Sequence, residues 1–585
     1  MADRIRIKKE KGLALVPGAN KLSGGYNFAV EVPEGVGASL ALYKKRARKP
    51  SVEIPFTEED RVGNICAFTL PEFDAENYEY NFLVDGKVYT DPCAYRIYGR
   101  ERFGVPVDGD AHKVRCGFLK NEEFDWEGDK SPEIPYHEMI LYKLHVRGYT
   151  KANRNVKGVK GTFQVLEEMI PYWKELGINA IELMPAYEFM ESGATGAFGS
   201  SGMVSEKRRE GRVNFWGYMP GYYFAPKAAY AAFDDAQTEL KDLVKVCHKA
   251  GIEVVLEMPF TEKILPQTVL ECLRFYLLEY HVDGFVVNPY NVPWDSLNAD
   301  PILKGAKIFK KEEGFQNSMR RFLKGDEGMV REVIRQLCRR TPEDGCCNYI
   351  TSHTGFTLCD LVSYDGKHNE ANGERNQDGP DYNYSWNCGT EGPSRKRSVM
   401  TLRKNQMKNA FLLLLLSQGT PCILAGDEFG NTQDGNNNVY CQDNETAWLN
   451  WGRQKSYEDL FRFVKRLIAL RKSNPVFHQR QALLGLDRTA CGIPDVSYHG
   501  ESAWQVQDAV VSRQLGVLYS WEDTFWFVAY NMHWEAHEFA LPALKKEMKW
   551  YQVAGTEEVP DEAECLKEQK MIEVKARTII LLQGR

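Results

Sequence analysis

The residues best suited to acid–base chemistry lie where predicted β-strands end. The strands in question are predicted over 252–258 and 306–310, and the candidate residues are Glu257, Glu262, Lys311, Glu312 and Glu313. Carboxyl groups and lysines exchange protons, and a carboxylate can also act as a nucleophile. Two carboxyl groups that face each other across one cleft would supply an acid together with a base or nucleophile.

Alternating strand and helix patterns over 136–475 must position these residues. The strand candidates are ILYKLHV (140–146), INAIELM (178–184), IEVVLEM (252–258), GFVVN (284–288), AKIFK (306–310), NYITS (348–352) and PCILAG (421–426). This alternation predicts an α/β fold with a parallel sheet closed as a (β/α)8 barrel, in which active sites lie at the carboxyl ends of the strands. The sixth strand belongs between 312 and 345, where no strand pattern is evident.

One helix of this region is predicted in detail, over 162–176. Thr162 is a plausible N-cap, Gly177 occupies the position after the helix, and apolar residues recur at helical spacing. Pro171 lies inside the pattern and is expected to kink or split the helix.

Short β-like runs separated by turns flank the barrel region. Residues 1–125 and 480–585 both alternate such runs with turns, and Asp85-Gly86 is a hairpin signal. Each flank is predicted to be a β-sandwich. A linker rich in Glu, Asp and Pro, at 120–136, separates the first sandwich from the barrel.

Composition places the chain among ordinary globular proteins. It has 585 residues, 43% of them apolar, and a net charge of −7, which argues against general nucleic-acid binding. Its 14 cysteines have no metal-like or disulfide-like spacing, which indicates reduced thiols in the cytoplasm. The amino terminus is not a signal peptide, and the apolar run AFLLLLL (410–416) is too short to span a membrane.

Two polar segments carry the clearest relationship to known proteins. They read HNEANGERNQDGPDYNYSWNCGTEGP (368–393) and PCILAGDEFGNTQDGNNNVYCQDN (421–444). Ordering so long a loop costs conformational entropy, so a connector without a role is not expected there. Both segments closely resemble isoamylase-type debranching enzymes of bacteria and plants, which are members of the α-amylase family (glycoside hydrolase family 13). In addition, VDGKVYTDPCA (84–94) looks like the end of the glycogen-binding module that precedes the barrel in such enzymes.

The resemblance locates the family's catalytic positions, and all of them are altered. The nucleophile's position, at the end of the fourth strand, is Asn288, and the arginine before it is Val286. The acid/base falls on Lys310 or Lys311, with Lys311 favoured, and the third catalytic Asp is Thr354 after the retained His353. A carboxamide is a poor nucleophile, and catalytic groups that act as a unit each cost ~10⁴–10⁶ in rate when removed.

Aromatic residues could still hold sugar, because sugars present C–H faces to aromatic rings. By its match to the family, Tyr218 in NFWGYMPGYYFAP (214–226) would stack under a sugar ring. Trp216 and Trp386 are further candidates. Core packing is favoured for Trp216, core packing and sugar stacking stay open for Tyr218, and His353 is interpreted as a relic of the sugar site.

Three hypotheses follow, none requiring a cofactor, metal, nucleic acid or membrane. The favoured one is a catalytically inactive isoamylase-like protein that binds α-glucan or an active debranching subunit. The second is an active α-1,6-glucosidase with relocated acids, which needs two of Glu257, Glu262, Glu312 and Glu313 to face each other. The third is a structural or oligomerisation subunit. The carboxylates of AGDEFG (425–430), Asp427 and Glu428, are expected to brace loops rather than catalyse.

Overall fold

A parallel barrel lies between antiparallel sheets at the two ends of the chain. The computed structural model describes residues 8–45, 47–106, 111–120, 124–191, 197–198, 204–205, 212–233, 235–260, 264–338, 345–506 and 509–585. In this part of the chain no helix is long and apolar enough to cross a membrane.

The amino-terminal sheets face each other around an aromatic core. Their strands are β1 (Glu10–Lys11), β2 (Gly18–Leu22), β3 (Gly25–Glu31), β4 (Ala38–Lys44), β5 (Val52–Pro55), β6 (Arg61–Val62), β7 (Ile65–Leu70), β8 (Tyr78–Val84), β9 (Lys87–Tyr89), β10 (Arg96–Tyr98) and β11 (Arg115–Gly117). One sheet has the order β1-β7-β3-β2 with β6 beside β7, and the other has the order β10-β11-β8-β4-β5 with β9 beside β8. Phe28, Phe68 and Phe82 are fully buried between them.

The central region supplies the barrel strands and two short hairpins. Its strands are β12 (Leu141–Leu144), β13 (Ala180–Leu183), β14 (Tyr187–Phe189), β15 (Ala197–Phe198), β16 (Val204–Ser205), β17 (Gly221–Pro226), β18 (Glu253–Met258), β19 (Gly284–Val287), β20 (Lys307–Lys310), β21 (Cys347–Asn348) and β22 (Thr420–Leu424). The parallel sheet has the order β20-β19-β18-β13-β12-β22-β21. The predicted amylase-type barrel is therefore confirmed.

Helices surround the barrel strands. They are α1 (Val146–Lys151), α2 (Phe163–Glu167), α3 (Ile170–Leu176), α4 (Ala236–Lys249), α5 (Pro266–Tyr280), α6 (Trp294–Ala299), α7 (Gly314–Lys324), α8 (Val330–Cys338), α9 (Leu358–Leu361), α10 (Arg397–Leu415) and α11 (Glu458–Ser473). The helix predicted over 162–176 is split into α2 and α3 beside Pro171, and Thr162 caps α2 by accepting from the Val165 N–H.

The sheet has seven strands where eight were expected. The described residues between β20 and β21 form α7 and α8, with residues 339–344 outside the description. Lys310 forms a parallel bridge with Cys346, and its N–H donates to the Gly345 carbonyl at 2.7 Å. The chain after β20 thus enters a helix directly, and β20 pairs with the segment that leads into β21. In the described residues no sixth strand separates them.

The carboxyl-terminal region is again antiparallel. Its strands are β23 (Val496–His499), β24 (Gln514–Trp521), β25 (Thr524–Asn531), β26 (His537–Ala540), β27 (Trp550–Gly555), β28 (Glu564–Cys565), β29 (Met571–Val574) and β30 (Thr578–Gly584). Six of them form a sheet in the order β23-β24-β25-β30-β27-β28, and β26 pairs with β29. Phe525, Phe527 and Trp550 are buried in its core.

Candidate active site

Four ionic side chains lie toward the carboxyl ends of the barrel strands β12, β13, β18 and β20. They are Lys143, Glu182, Glu257 and Lys311, which we call the ionic quartet. Each follows by two positions an apolar residue of the barrel interior: Leu141, Ala180, Val255 and Phe309, respectively. Because side chains alternate between the faces of a strand, the quartet points into the barrel mouth.

Lys143 binds two carboxylates at once. Its Nζ lies 2.5 Å from Glu182 Oε1 and also contacts Glu257 Oε2 directly. All three residues are buried. Lys311 completes the quartet from the rim: its Nζ is 3.9 Å from Glu257 Oε1, and its side chain is 28% exposed.

Burial and the neighbouring charges set the ionisation of the quartet. Burial opposes a charge on Glu257, but Lys143 and Lys311 outweigh it and lower the pKa of that carboxyl. Burial raises the pKa of Glu182 despite Lys143. The two carboxylates raise the pKa of Lys143 in spite of its burial. Burial lowers the pKa of Lys311, with Glu257 opposing and Lys143 adding to the effect.

Tyr218 covers the barrel mouth at the carboxyl ends of the strands. Its hydroxyl donates to Glu257 Oε2 at 2.5 Å. The loop that carries it turns at Gly217, where φ is +84° and an added Cβ would come within 2.4 Å of the Phe189 ring. The Tyr187 hydroxyl fixes this turn by donating to the Gly217 carbonyl at 2.8 Å. Tyr218 is 8% exposed as a result.

His353 fills the space beside Tyr218. The two rings stack at 4.4 Å with an interplanar angle of 10°, and Trp216 packs edge-on against His353 at 4.9 Å. His353 Nε2 lies 3.5 Å from Lys311 Nζ, and its Nδ1 lies 3.2 Å from the Tyr218 hydroxyl. Burial, reinforced by Lys311 and Lys143, holds the pKa of His353 well below its usual range, so the imidazole is neutral.

The cavity beside this cluster is small. It measures about 50 Å³ and is lined by Lys143, His145, Trp216 and His353, among others. Sites for small organic ligands occupy roughly 300–1,000 Å³, whereas one water needs only ~10–15 Å³. The cavity therefore has room for a few waters and not for a sugar ring.

Comparison with known proteins identifies the family. No protein-family model matches the chain. Over 605 aligned residues it is 32% identical to the chloroplastic isoamylase 1 of Arabidopsis thaliana, covering 80% of this chain and 76% of that protein. The chain belongs to the isoamylase family.

Other relatives extend this isoamylase-family relationship along the chain. A glycogen operon protein GlgX homolog of Haemophilus influenzae is 30% identical over 92% of this chain and 94% of its own length. The catalytic module of the glycogen-degrading pneumococcal virulence factor SpuA superposes with a TM-score of 0.73 at 16% identity, covering 97% of this chain and 98% of the module. A pullulanase from Bacillus acidopullulyticus gives 0.70 at 17% identity, covering 97% and 75%. At these identities the superpositions support the fold alone.

Besides Lys311, the sequence predicts altered catalytic positions at Asn288 and Thr354. Asn288 is half-buried just after β19, and its Oδ1 accepts from the Tyr290 N–H at 3.1 Å in a local turn. Thr354 is half-buried beside His353. Glu312 and Glu313 are exposed, and Glu262 lies outside the described residues.

Trp386, the remaining sugar-binding candidate, lies in a different environment. The Arg577 guanidinium of the carboxyl-terminal region lies 4.9 Å from its ring. Trp216, Tyr218 and His353 are in mutual ring contact at the barrel mouth. Among the described residues there is no cluster of His, Cys, Asp and Glu placed to hold a metal ion.

The carboxylates of the isoamylase-like AGDEFG segment brace loops, as expected. Asp427 accepts from the Thr351 hydroxyl and from the Leu358 N–H, the latter at 2.9 Å. Glu428 Oε1 accepts from the hydroxyls of Tyr142 at 2.7 Å and Tyr172 at 2.5 Å.

Sequence reasoning missed two members of the quartet, Lys143 and Glu182. A signal was present, because each is a charged residue inside an otherwise apolar strand pattern, LYKL and AIEL. A buried charge in such a strand needs a partner of opposite sign on a neighbouring strand. β12 and β13 are adjacent and parallel, with Lys143 in register with Glu182.

Proposed function

We propose that this isoamylase-family protein serves glycogen or starch metabolism without hydrolysing glycosidic bonds. It would act by binding α-glucan or an active debranching subunit. The observation that carries the proposal is the quartet itself: Lys143 is bound between Glu182 and Glu257, so neither of these carboxyl groups in the barrel mouth is free.

The family mechanism needs one carboxyl as acid/base and another as nucleophile. Here the corresponding positions are Lys311 and Asn288, and Asn288 is engaged in a local turn. Glu257 is charged, but it is neutralised by Lys143 and bonded by Tyr218. A carboxylate held in this way is available neither to attack an anomeric carbon nor to donate a proton.

Sugar binding in the barrel mouth is also disfavoured. His353 covers a face of Tyr218, and the adjoining cavity of about 50 Å³ is too small for a sugar ring. We therefore place glucan binding outside the barrel mouth. The amino-terminal β-sandwich is our candidate, because its sequence resembles a glycogen-binding module.

One observation favours the hydrolase alternative. Glu182 and Glu257 contact the same ammonium nitrogen, so the two oxygens that bind it lie less than about 5 Å apart. Retaining glycosidases hold their carboxyls about 5–5.5 Å apart. Against it stand the burial of both residues and the Lys143 side chain between them.

The test is a paired assay on the full chain. Isothermal titration with maltoheptaose and glycogen would measure binding, and reducing-sugar release from glycogen and pullulan would measure hydrolysis. We expect binding without release, and Tyr218→Phe should leave the binding unchanged because the mouth is not the sugar site.

Release that disappears in Glu257→Gln or Glu182→Gln would overturn the proposal and establish a relocated active site. The matched control is Glu312→Gln, an exposed carboxylate at the same rim. If neither binding nor release is seen, the part of the proposal that remains is binding to an active debranching subunit. Co-purification with an active debranching enzyme tests that part. Failure there as well would refute it.

A further inference from the structure

The linker between the amino-terminal sheets and the barrel is bound to the barrel at the end opposite the mouth. We call residues 124–134 the strap. The Ile134 N–H donates at 2.6 Å to Glu253, the first residue of β18. The Ser131 hydroxyl donates to Asp283, which directly precedes β19. The strap therefore crosses the amino ends of two barrel strands.

One histidine joins the strap to the barrel through two carboxylates. His248, on α4, is buried, and its Nδ1 lies 3.0 Å from both oxygens of Asp129 in the strap. Its Nε2 lies 3.0 Å from Asp283 Oδ2, an oxygen that also accepts from the Val254 N–H at 2.7 Å. Both ring nitrogens thus face acceptors. Only the charged imidazolium carries a proton on each nitrogen, so only that form can donate to both carboxylates.

Other charged and titratable groups surround this site. His281, at the end of α5, has its Nδ1 at 3.1 Å from Asp129 Oδ2, and its ring stacks on Trp126 of the strap at 3.7 Å. The remaining groups are paired carboxylates and lysines: Glu127 with Lys245 and Lys249, Asp242 with Lys245, and Glu253 with Lys307. Carboxylates and ammonium groups ordinarily titrate outside pH 6 to 9, whereas imidazoles titrate close to neutral pH.

The charge on His248 decides whether Asp129 has its donor. Burial opposes that charge, but Asp283 and Asp129 outweigh it and raise the pKa of His248. The stabilisation is therefore complete below the unfolded pKa and is lost as the pH rises through the folded pKa. Because the Val254 N–H holds Asp283 in place, we expect the neutral ring to keep its proton on Nε2. The lone pair on Nδ1 then faces the Asp129 carboxylate.

We propose that the strap is a pH-dependent latch, bound to the barrel while the His248 imidazole is charged and released at alkaline pH when it is neutral. A lone pair and a carboxylate repel each other, so Asp129 leaves the barrel and the connection to the amino-terminal sheets loosens. The inference is independent of the proposed function, because it requires neither glucan binding nor the absence of hydrolysis.

Hydrogen exchange tests the latch. The full chain would be labelled in D2O at pH 6 and pH 9, and each peptide's exchange would be corrected for the intrinsic rate at that pH. The Asp129 N–H, which donates to the Trp126 carbonyl at 2.9 Å, and the Ile134 N–H report on the strap. We expect their protection to fall about tenfold or more from pH 6 to pH 9, as for the loss of one charged hydrogen bond. Peptides from β24 and β25 should keep their protection.

Two variants separate the latch from general loosening. In Asp129→Asn the side chain can accept from a charged His248 and, with its amide turned, donate to a neutral one, so the strap should stay protected at both pH values. His248→Gln carries no charge at any pH, and its strap should exchange at pH 6 as fast as that of the wild type at pH 9.

The control is His281→Asn, which tolerates the left-handed backbone of that position, with φ +52°. It removes the second ring beside Asp129 and should leave the fall in protection between pH 6 and pH 9 in place. Equal strap protection of the wild type at the two pH values would overturn the proposal. The same fall in Asp129→Asn or in His248→Gln as in the wild type would also refute it.

Discussion

At the scale of single residues, the charged side chains of the quartet stay buried because they pair with one another, without needing a substrate. Removing a charge from water costs free energy. A buried ion pair offsets that cost only when each charge has close partners of opposite sign. Lys143 meets this condition through Glu182 and Glu257. Its role is therefore to hold two carboxylates inside the barrel.

Replacing Lys143 should be severely destabilising. Lys143→Met leaves Glu182 and Glu257 buried without their cation, and we expect a loss of about 3–5 kcal/mol in the free energy of unfolding. Urea denaturation would measure it. Adding Glu182→Gln and Glu257→Gln should recover part of the loss.

The control for this variant is Lys465→Met, which removes an exposed pair with Glu175 and should cost less than about 1 kcal/mol. Equal losses of unfolding free energy in Lys143→Met and Lys465→Met would contradict the role of Lys143 as the buried partner of two carboxylates.

A second prediction concerns Asp427 and pH. Burial raises the pKa of this carboxyl to about 7, despite the bonds from Thr351 and Leu358. The folded state therefore binds a proton that the unfolded state has already released, so Asp427 costs stability as the pH rises from its unfolded value through 7. Between pH 5 and 8 that cost is about 3 kcal/mol.

Asp427→Asn avoids this charge: its amide oxygen can still accept from the Leu358 N–H, and its amide N–H can donate to the Thr351 hydroxyl. Its melting temperature relative to wild type should therefore increase from pH 5 to pH 8, as followed by differential scanning calorimetry. Asp434→Asn, on an exposed loop residue, is the control and should give no such trend. A constant difference for Asp427→Asn would refute the pKa assignment.

At the scale of elements, the barrel closes where the turn before β21 contacts β20. Gly345 has φ +71°, and its carbonyl accepts from the Lys310 N–H at 2.7 Å. An added Cβ there would come within 2.1 Å of the Ile308 carbonyl oxygen. The turn before β21 can therefore approach β20 only because this residue is glycine.

Gly345→Ala should thus weaken the closure of the barrel. Backbone strain and the displaced strand should cost at least about 2 kcal/mol, measured as a lower urea midpoint. Gly366→Ala, on an exposed loop position with open space around it, should leave the midpoint nearly unchanged. A harmless Gly345→Ala would mean that β20 and β21 are not held together by this turn.

At the scale of the whole molecule, two arginines join the barrel to the carboxyl-terminal region. Arg577 Nη1 donates to the Lys324 carbonyl at 2.7 Å while its guanidinium packs on Trp386, and Arg513 Nε donates to the Gly325 carbonyl at 2.7 Å. Both bonds satisfy carbonyls at the carboxyl end of α7, where cations are favoured by the helix dipole.

Arg577→Met should loosen this junction. We expect a loss of about 1–3 kcal/mol from the missing charged hydrogen bond, together with faster proteolysis between the barrel and the last sheet. Lys575→Met, an exposed neighbour paired with Glu557, is the control and should have little effect. Unchanged proteolysis in Arg577→Met would argue that other contacts dominate the junction.

The sequence by itself determined the family and the order of the β-rich and α/β regions along the chain. The period-two patterns of the flanks, the strand–helix alternation of 136–475 and the two polar segments at 368–393 and 421–444 depend on local spacing, which the chain carries directly. The same is true of the split at Pro171, because proline lacks the N–H that a continuous helix needs.

Tertiary structure decided how the barrel closes and what its mouth contains. That β20 pairs with the segment before β21 depends on a contact between residues far apart in the chain, which no local pattern encodes. That Lys143 binds Glu182 and Glu257, and that Tyr218 and His353 seal the mouth, follows from strands and loops meeting in space. The energy of a buried charge depends on its neighbours rather than on its position in the sequence, so only the fold could place them.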